Sequence, residues 1–405
     1  MKNILIMASD YSGKVTANGF CAQMLAKELD KSEICVYVVS CDKAGTDKIQ
    51  NRVISVSRRE TVTPTSSNNV LLRMGHHFIN ILKYLRTPKY GKETVEKMVE
   101  AAMKICAKVK IDAIVCMYFP LETVIAGYRM KQLYPDLEFI IYELDSVADG
   151  IAGSSKWGNH IVLSFKRFLN KIYYKADLVL ILKCHQTYWM REHSRYREKM
   201  EIVDLPLLTE TCQPKKVDAE KMTRLVYSGT LDEKYRSPEV LLQVLLGIDD
   251  NIDWNLDFYS KGCEAILERY SNQNNRIICH GYVEQNILES AVSEASFLIN
   301  IGNKVSNSLP SKVITYMTYG KPIIHFSLQE NDICEEYLAN YPATLIIKHN
   351  MSQNEAIEKV GAFIKKYKGV TVLLDDLFNL FPMNLPSYSA NKILERLYHA
   401  KHSIN

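Results

Sequence analysis

Several marks that would place a protein at once are missing here. No apolar run approaches the roughly 18 residues needed to cross a bilayer. The first residues enter a short strand pattern without an h-region or cleavage site, which argues against a signal peptide. There is no low-complexity tract and no internal repeat, and the composition is that of a globular protein. None of the 10 cysteines stands in a CxxC pair. Scattered singly through apolar segments, as Cys35, Cys106, Cys116 and Cys279 are, they read as reduced, buried thiols of a cytosolic protein rather than disulfides or zinc ligands. GxGxxG is absent, which removes the dinucleotide fingerprint. Asp-x-Asp is absent too, and a catalytic divalent metal has no evident binder.

What is present describes a soluble chain of two domains. That is the expectation for 405 residues, 47% of them hydrophobic and 24% charged. The charge is uneven: residues 1–205 carry a net +8 and residues 206–405 a net −4. A basic first half suits an anionic partner such as a membrane surface or a lipid pyrophosphate, and equally a solvated face with no partner.

In the first half, short branched runs over 2–8, 34–40, 113–117 and 138–144 read as buried parallel strands. Helical spacing over 18–29, 93–109 and 121–132 separates them, the alternation of a doubly wound sheet. Ligands bind past the carboxyl ends of such strands, so Glu143, Asp145 and Asp149 are candidates for acceptor contact; an aspartate there is also an ordinary helix cap. Residues 70–85 predict an amphipathic helix carrying His76-His77, followed by a basic segment over 86–92. Packing on its own domain is the plainer reading, contact with a membrane surface the other.

A polar stretch over 208–222, containing Gln213-Pro214-Lys215-Lys216, marks a domain boundary. Strands over 223–228, 254–259, 276–279, 297–301, 323–326 and 343–347 follow, again alternating with helices. The most informative segment is 307–326. Polar Asn307-Ser308 leads to Leu309-Pro310-Ser311-Lys312, which opens a helix of about two turns, and Gly320-Lys321-Pro322 ends it. The first-turn amides of that helix have no intrahelical partners and lie at the positive end of its dipole. They form a natural phosphate site, to which Lys312 adds a full charge.

This segment, PSKxxxYMxxGKPII over 310–324, resembles the donor-binding segment of bacterial GT-B glycosyltransferases like those of family 4 (glycosyl transferases group 1), and flanking pieces fit that family over nearly the whole chain. The resemblance implies an α/β fold of two Rossmann-like domains facing across a cleft. An acceptor-side domain would span 1–207, a linker 208–222, a donor domain 223–385, and a last helix over 386–405 would cross back onto the first domain. It implies donor-binding roles for Gly229 and Thr230, for Gly262, and for the Gly281-Tyr282 turn beside the base. It extends the same role to Asn307, Ser308, Leu309, Pro310, Ser311, Lys312 and Thr315. Arg236 and Lys312 would neutralise the diphosphate, Arg236 because a guanidinium grips two phosphate oxygens at once. On the acceptor side it implies Gly13 and Asn18, with Glu143 and Asp145. Retention is expected from the kinship; an inverting enzyme would use Asp145 as general base, Glu143 next.

One departure stands out. Many family 4 enzymes carry two glutamates eight positions apart around the donor loop. Here Thr315 stands where the second would be, and nothing acidic lies between Gly302 and Lys312. The implied activity is metal-independent transfer of a sugar from a nucleotide-diphosphate sugar to a glycan or lipid-linked acceptor in cell-surface polysaccharide synthesis. No cofactor, no metal and no nucleic acid is expected, and the location is cytoplasmic, with peripheral contact at the inner face of the membrane through the basic domain. Two other readings are a non-catalytic GT-B partner of another transferase, favoured by the missing glutamates, and a nucleotide-sugar 2-epimerase.

Overall fold

A computed structural model describes residues 2–12, 16–32, 34–41, 49–50, 52–57, 90–145, 158–210, 222–304 and 309–399. The helix expected over 70–85, with His76-His77, lies outside them, as do Gly13, Asp149, Asn307 and Ser308. The chain divides into two compact units, residues 1–206 with 386–405, and residues 207–385.

The first unit is built on strands β1 (Lys2–Ala8), β2 (Ile34–Ser40), β3 (Ile49–Gln50), β4 (Val53–Ser55), β5 (Ala113–Tyr118), β6 (Glu138–Glu143), β7 (Leu178–Leu182) and β8 (Met200–Val203). They form one sheet in the order β3-β4-β2-β1-β5-β6-β7-β8, parallel throughout except for the β3–β4 edge pair. Helices α1 (Ala17–Lys31), α2 (Lys92–Cys106), α3 (Leu121–Leu133), α4 (Gly158–Lys175) and α5 (Gln186–Glu192) connect them. β5 and β7 are buried along their whole length, which is why they read as unbroken apolar runs and not as alternating ones.

The second unit has six parallel strands, β9 (Thr223–Thr230), β10 (Trp254–Lys261), β11 (Ile277–Cys279), β12 (Phe297–Ile301), β13 (Ile323–Phe326) and β14 (Thr344–Ile347), ordered β11-β10-β9-β12-β13-β14. Its helices are α6 (Glu239–Leu246), α7 (Glu264–Gln273), α8 (Gln285–Glu294), α9 (Ser311–Thr318), α10 (Ile333–Leu338), α11 (Gln353–Tyr367) and α12 (Leu374–Leu380). One face of this sheet carries the core, in which Leu225, Tyr227, Leu256, Phe258 and Ile299 pack with Val360 and Phe363 of α11. Leu208, read as linker, is instead fully buried, and its amide donates to Asn384 O at 3.0 Å. The last helix, α13 (Pro386–His399), returns to the first unit and packs against α1 and β8.

In each sheet the strand order reverses once, beside β1 in the first unit and beside β9 in the second. Crevices past the carboxyl ends of strands at such reversals are where open parallel sheets bind ligands.

Candidate functional site

At the reversal of the second sheet, β9 ends in Ser228-Gly229-Thr230. Gly229 has φ +131°, a backbone state that a side chain resists. Two turns of helix, α9, are pinned beside it. The Tyr316 hydroxyl accepts from Ser228 N at 2.8 Å and lies 2.9 Å from Ser228 Oγ, so the second turn of α9 is fixed to the exit of β9. Pro310 caps α9 with φ −64°, the angle its ring imposes. Buried Leu309 packs just before it, and Ser311 and Lys312 supply the first amides.

From that helix start Lys312 turns inward. Its Nζ sits 4.1 Å from the centroid of the Tyr227 ring and 3.5 Å from Ser228 O. Burial pushes the ammonium well below its usual pKa, and the neighbouring Arg236 pushes it further. Arg236 is delivered by a tight turn, in which Arg236 N donates to Asp232 O at 2.7 Å and Asp232 N donates back at 3.2 Å. Its Nη1 reaches Thr230 O at 3.3 Å, and its Nε is buried without a hydrogen-bond partner among the described residues. The loop after β12 joins the same place, through Lys304 N to Tyr235 O at 3.0 Å. The structure therefore brings Gly229, Thr230, Arg236 and Lys312 together.

Other predicted donor residues are spread around them. Gly262, at φ +92°, follows β10, and a Cβ there would lie 2.3 Å from Leu231 O. Gly281 and the 72%-exposed Tyr282 follow β11. Thr315 directs its hydroxyl back to Ser311 O at 3.2 Å, so it is bonded within its own helix. A residue the sequence did not single out is Asp332. Its Oδ1 caps α10 by accepting from Cys334 N at 2.9 Å, and its Oδ2 lies 3.2 Å from His325 Nε2. His325 Nδ1 in turn meets Asn300 Nδ2 at 2.8 Å. Burial alone would raise the Asp332 carboxyl, but its bonds to His325 and Cys334 bring it below the usual range. A Cβ on Gly302 would sit 1.8 Å from Asp332 Oδ2, so that glycine is required by close approach. His325, Asp332 and Cys334 lie close enough to hold an ion, but this hydrogen bonding already uses the histidine and the carboxylate.

In the first unit Asn18, on α1, donates its Nδ2 to Asp145 Oδ2 at 3.0 Å and to Phe119 O at 3.2 Å, joining the ends of β5 and β6 to the helix after β1. Asp10 bonds both the amide and the hydroxyl of Thr16, which caps that helix. Glu143 is placed differently from the expectation of acceptor contact. It is 1% exposed, and burial pushes its carboxyl up to about 8 against the hydrogen bond from the Tyr173 hydroxyl at 2.9 Å. Asp145 is the half-buried acid of the two.

No protein-family model matches the chain, and no curated protein matches it in sequence. Solved structures match it over its whole length. Sucrose-phosphate synthase from Thermosynechococcus elongatus is 13% identical, with a TM-score of 0.67, and the match covers 100% of each chain. A putative UDP-N-acetylglucosamine 2-epimerase from Listeria monocytogenes is 10% identical at a TM-score of 0.62, covering 100% of this chain and 98% of that one. Anabaena HepE, solved with UDP and glucose, is 10% identical at a TM-score of 0.57, covering 100% and 99%. The chain thus has the fold of the GT-B glycosyltransferases, two α/β units each built on a Rossmann-like parallel sheet. Among the described residues no helix is long and apolar enough to cross a membrane.

Proposed function

We propose that this chain is a glycosyltransferase that takes a sugar from a nucleotide-diphosphate donor and passes it to a hydroxyl of a glycan or lipid-linked acceptor. One observation carries the reading. An ammonium and a guanidinium, Lys312 and Arg236, converge at the reversal of a parallel sheet, beside a glycine exit and the open amides of a helix start, with no carboxylate bonded to either among the described residues. Two cations held together without an anion raise each other's energy; a diphosphate relieves both. HepE, of the same fold, was solved with UDP and glucose.

In this reading the second unit binds the donor. As the bond from the anomeric carbon to the diphosphate breaks, the electron pair goes to the phosphate oxygen, and Arg236, Lys312 and the α9 dipole stabilise the gathering charge. Fixed cations do this work without a metal ion, in keeping with the absence of Asp-x-Asp. The acceptor is assigned to the basic first unit near Asn18 and Asp145. Family 4 kinship favours retention, a place in cell-surface polysaccharide synthesis, and contact of that unit with the membrane face.

Thermal melting against a panel of nucleoside diphosphates and nucleotide sugars tests the reading, because a ligand of the native state raises Tm by mass action. One nucleotide should give a clear upward shift, and Arg236→Ala and Lys312→Ala should each weaken its binding roughly tenfold to a hundredfold. No shift with any nucleotide would favour a non-catalytic partner. Conversion of a nucleotide sugar without an acceptor would favour an epimerase, the activity for which the Listeria monocytogenes neighbour is named.

A further inference from the structure

Asn300 on β12, His325 on β13, and Asp332 and Cys334 at the start of α10 meet in the interior of the second unit. Asn300, His325 and Cys334 are fully buried, and Asp332 is 6% exposed. The Cys334 thiol is bonded to both the Asp332 carboxylate and the Asn300 amide. The ligand atoms of His325, Asp332 and Cys334 all lie within 4.8 Å of one another. The donor reading uses none of these side chains.

Hydrogen bonding alone does not satisfy this cluster. Asn300 Nδ2 and His325 Nδ1 stand 2.8 Å apart, and His325 Nε2 lies 3.2 Å from Asp332 Oδ2. If the amide donates, the single ring proton goes to Asp332. Asn300 Oδ1 is then buried with no partner among the described residues. If the amide is turned over, Oδ1 accepts from Nδ1–H, and the bare Nε2 lone pair faces the carboxylate. Either way one buried acceptor lacks a donor. A cation between Nε2 and Oδ2 removes the conflict. The turned amide then accepts from the free ring N–H, as the outer partner of a metal-bound histidine does. A second ring proton would do the same, but it gives the thiol no part.

Charge balance and donor chemistry decide for a metal. One carboxylate and one thiolate cancel a divalent ion, so the occupied site is neutral, as a buried ion requires. Nitrogen, oxygen and sulfur in one set suit zinc, whereas magnesium and calcium take oxygen. Zinc bonds of about 2.0–2.2 Å at a tetrahedral angle place nitrogen and oxygen roughly 3.4 Å apart. The observed separation is 3.2 Å. We propose that His325, Asp332 and Cys334 bind a divalent transition-metal ion of the zinc type, with Asn300 orienting the histidine. The ion takes the place of the proton shared by His325 and Asp332, the thiol gives its proton to solvent, and the fourth position is left to water. This departs from the sequence expectation that no cysteine serves a metal, because a single cysteine outside any CxxC carries no such signal. The ion would tie the start of α10 to the exit of β12, where Gly302 packs on the same carboxylate.

Cobalt reports on such a site directly, because thiolate ligation gives it an intense near-ultraviolet absorption band. Full-length protein stripped with a chelator and titrated with Co2+ should take up one ion per chain with that band, and Zn2+ should displace it. Calorimetry of Zn2+ in two buffers of different ionisation enthalpy should show release of about one proton per ion near pH 7, from the thiol. Cys334→Ser should lose the band, and Asn300→Ala should weaken binding about tenfold to a hundredfold. A wild type without the band at a few-fold excess of Co2+ overturns the proposal, and so does binding without proton release. A band that survives in Cys334→Ser overturns it too, since other thiols would then hold the ion, and equal affinity in Asn300→Ala removes the amide from the site. The first two readings use the unaltered chain, so they decide even where a variant fails to fold. Neither depends on the transferase reading.

Discussion

Lys312 is the residue on which the donor-site argument turns, and it makes a prediction about protons. In the free protein burial and the Arg236 charge hold its pKa well down. A diphosphate placed between the two cations favours the charged ammonium and raises that pKa. Between the lowered and the restored value, the bound state holds more protons than the free state, so binding takes protons up. Affinity must then rise as pH falls through that window, and level off below the lowered pKa, where the ammonium is already charged. Titration calorimetry of the preferred nucleoside diphosphate in two buffers of different ionisation enthalpy should show net uptake of at most about one proton per site. Lys312→Met should remove most of it. Equal proton uptake in wild type and Lys312→Met would mean that the ammonium is not the group that meets the anion.

At the scale of elements, glycine in a helix illustrates how packing overrides propensity. Gly127 sits in the middle of α3, where alanine would ordinarily gain about 1 kcal/mol. Here a Cβ would lie 2.2 Å from Cys116 Sγ on β5 and 2.8 Å from Phe139 Cε2 on β6, both fully buried. Overpacking of that kind costs about 1–3 kcal/mol and outweighs the propensity gain. Gly127→Ala should lower the urea midpoint, and adding Cys116→Ala should recover part of the loss, a coupling expected of residues in contact. An unchanged midpoint in Gly127→Ala would mean that α3 lies further from the sheet than described. The same contrast of local signal and tertiary contact explains what the sequence disclosed. Strands buried on both faces show themselves as apolar runs, so β1, β5, β12 and β13 were legible from residues alone. The edge pair Ile49–Gln50 and Val53–Ser55 and the helices Ile333–Leu338 and Leu374–Leu380 were not, because the edge strands are too short to make an apolar run and the two helices cover less than two full turns of the helical period. The helix start at Ser311-Lys312 was legible from local punctuation. The bond from Ser228 to Tyr316 spans 88 residues and that from Asp257 to His280 spans 23, and no local pattern encodes either. His325 hid within an apolar run, and its pairing with Asp332 appears only once α10 is folded against β13.

For the molecule as a whole, the first unit is discontinuous in sequence, and α13 closes it. Tyr142 on β6 donates its hydroxyl to Asp204 O at 2.5 Å and meets Ser389 Oγ at 2.8 Å, while Arg396 bonds Glu138 at 2.9 Å and Lys392 pairs with Glu201 at 3.2 Å. Ala390, Ile393 and Leu397 bury the apolar stripe of the helix. Ion pairs this accessible to solvent on at least one side add little each, so the stripe supplies most of the attachment. Ile393→Ala should therefore cost the first unit about 2–5 kcal/mol. The residues proposed to bind the donor all belong to the other unit, residues 207–385. Two units with separate cores should melt as separable steps in calorimetry. Ile393→Ala should lower one step, and the preferred nucleoside diphosphate should raise the other. If a single step responded to both, or if Ile393→Ala lowered the step that the nucleotide raises, the donor site could not belong to an independently stable second unit. Opposite movements of two steps would place donor binding in residues 207–385 by a route that needs no acceptor and no turnover.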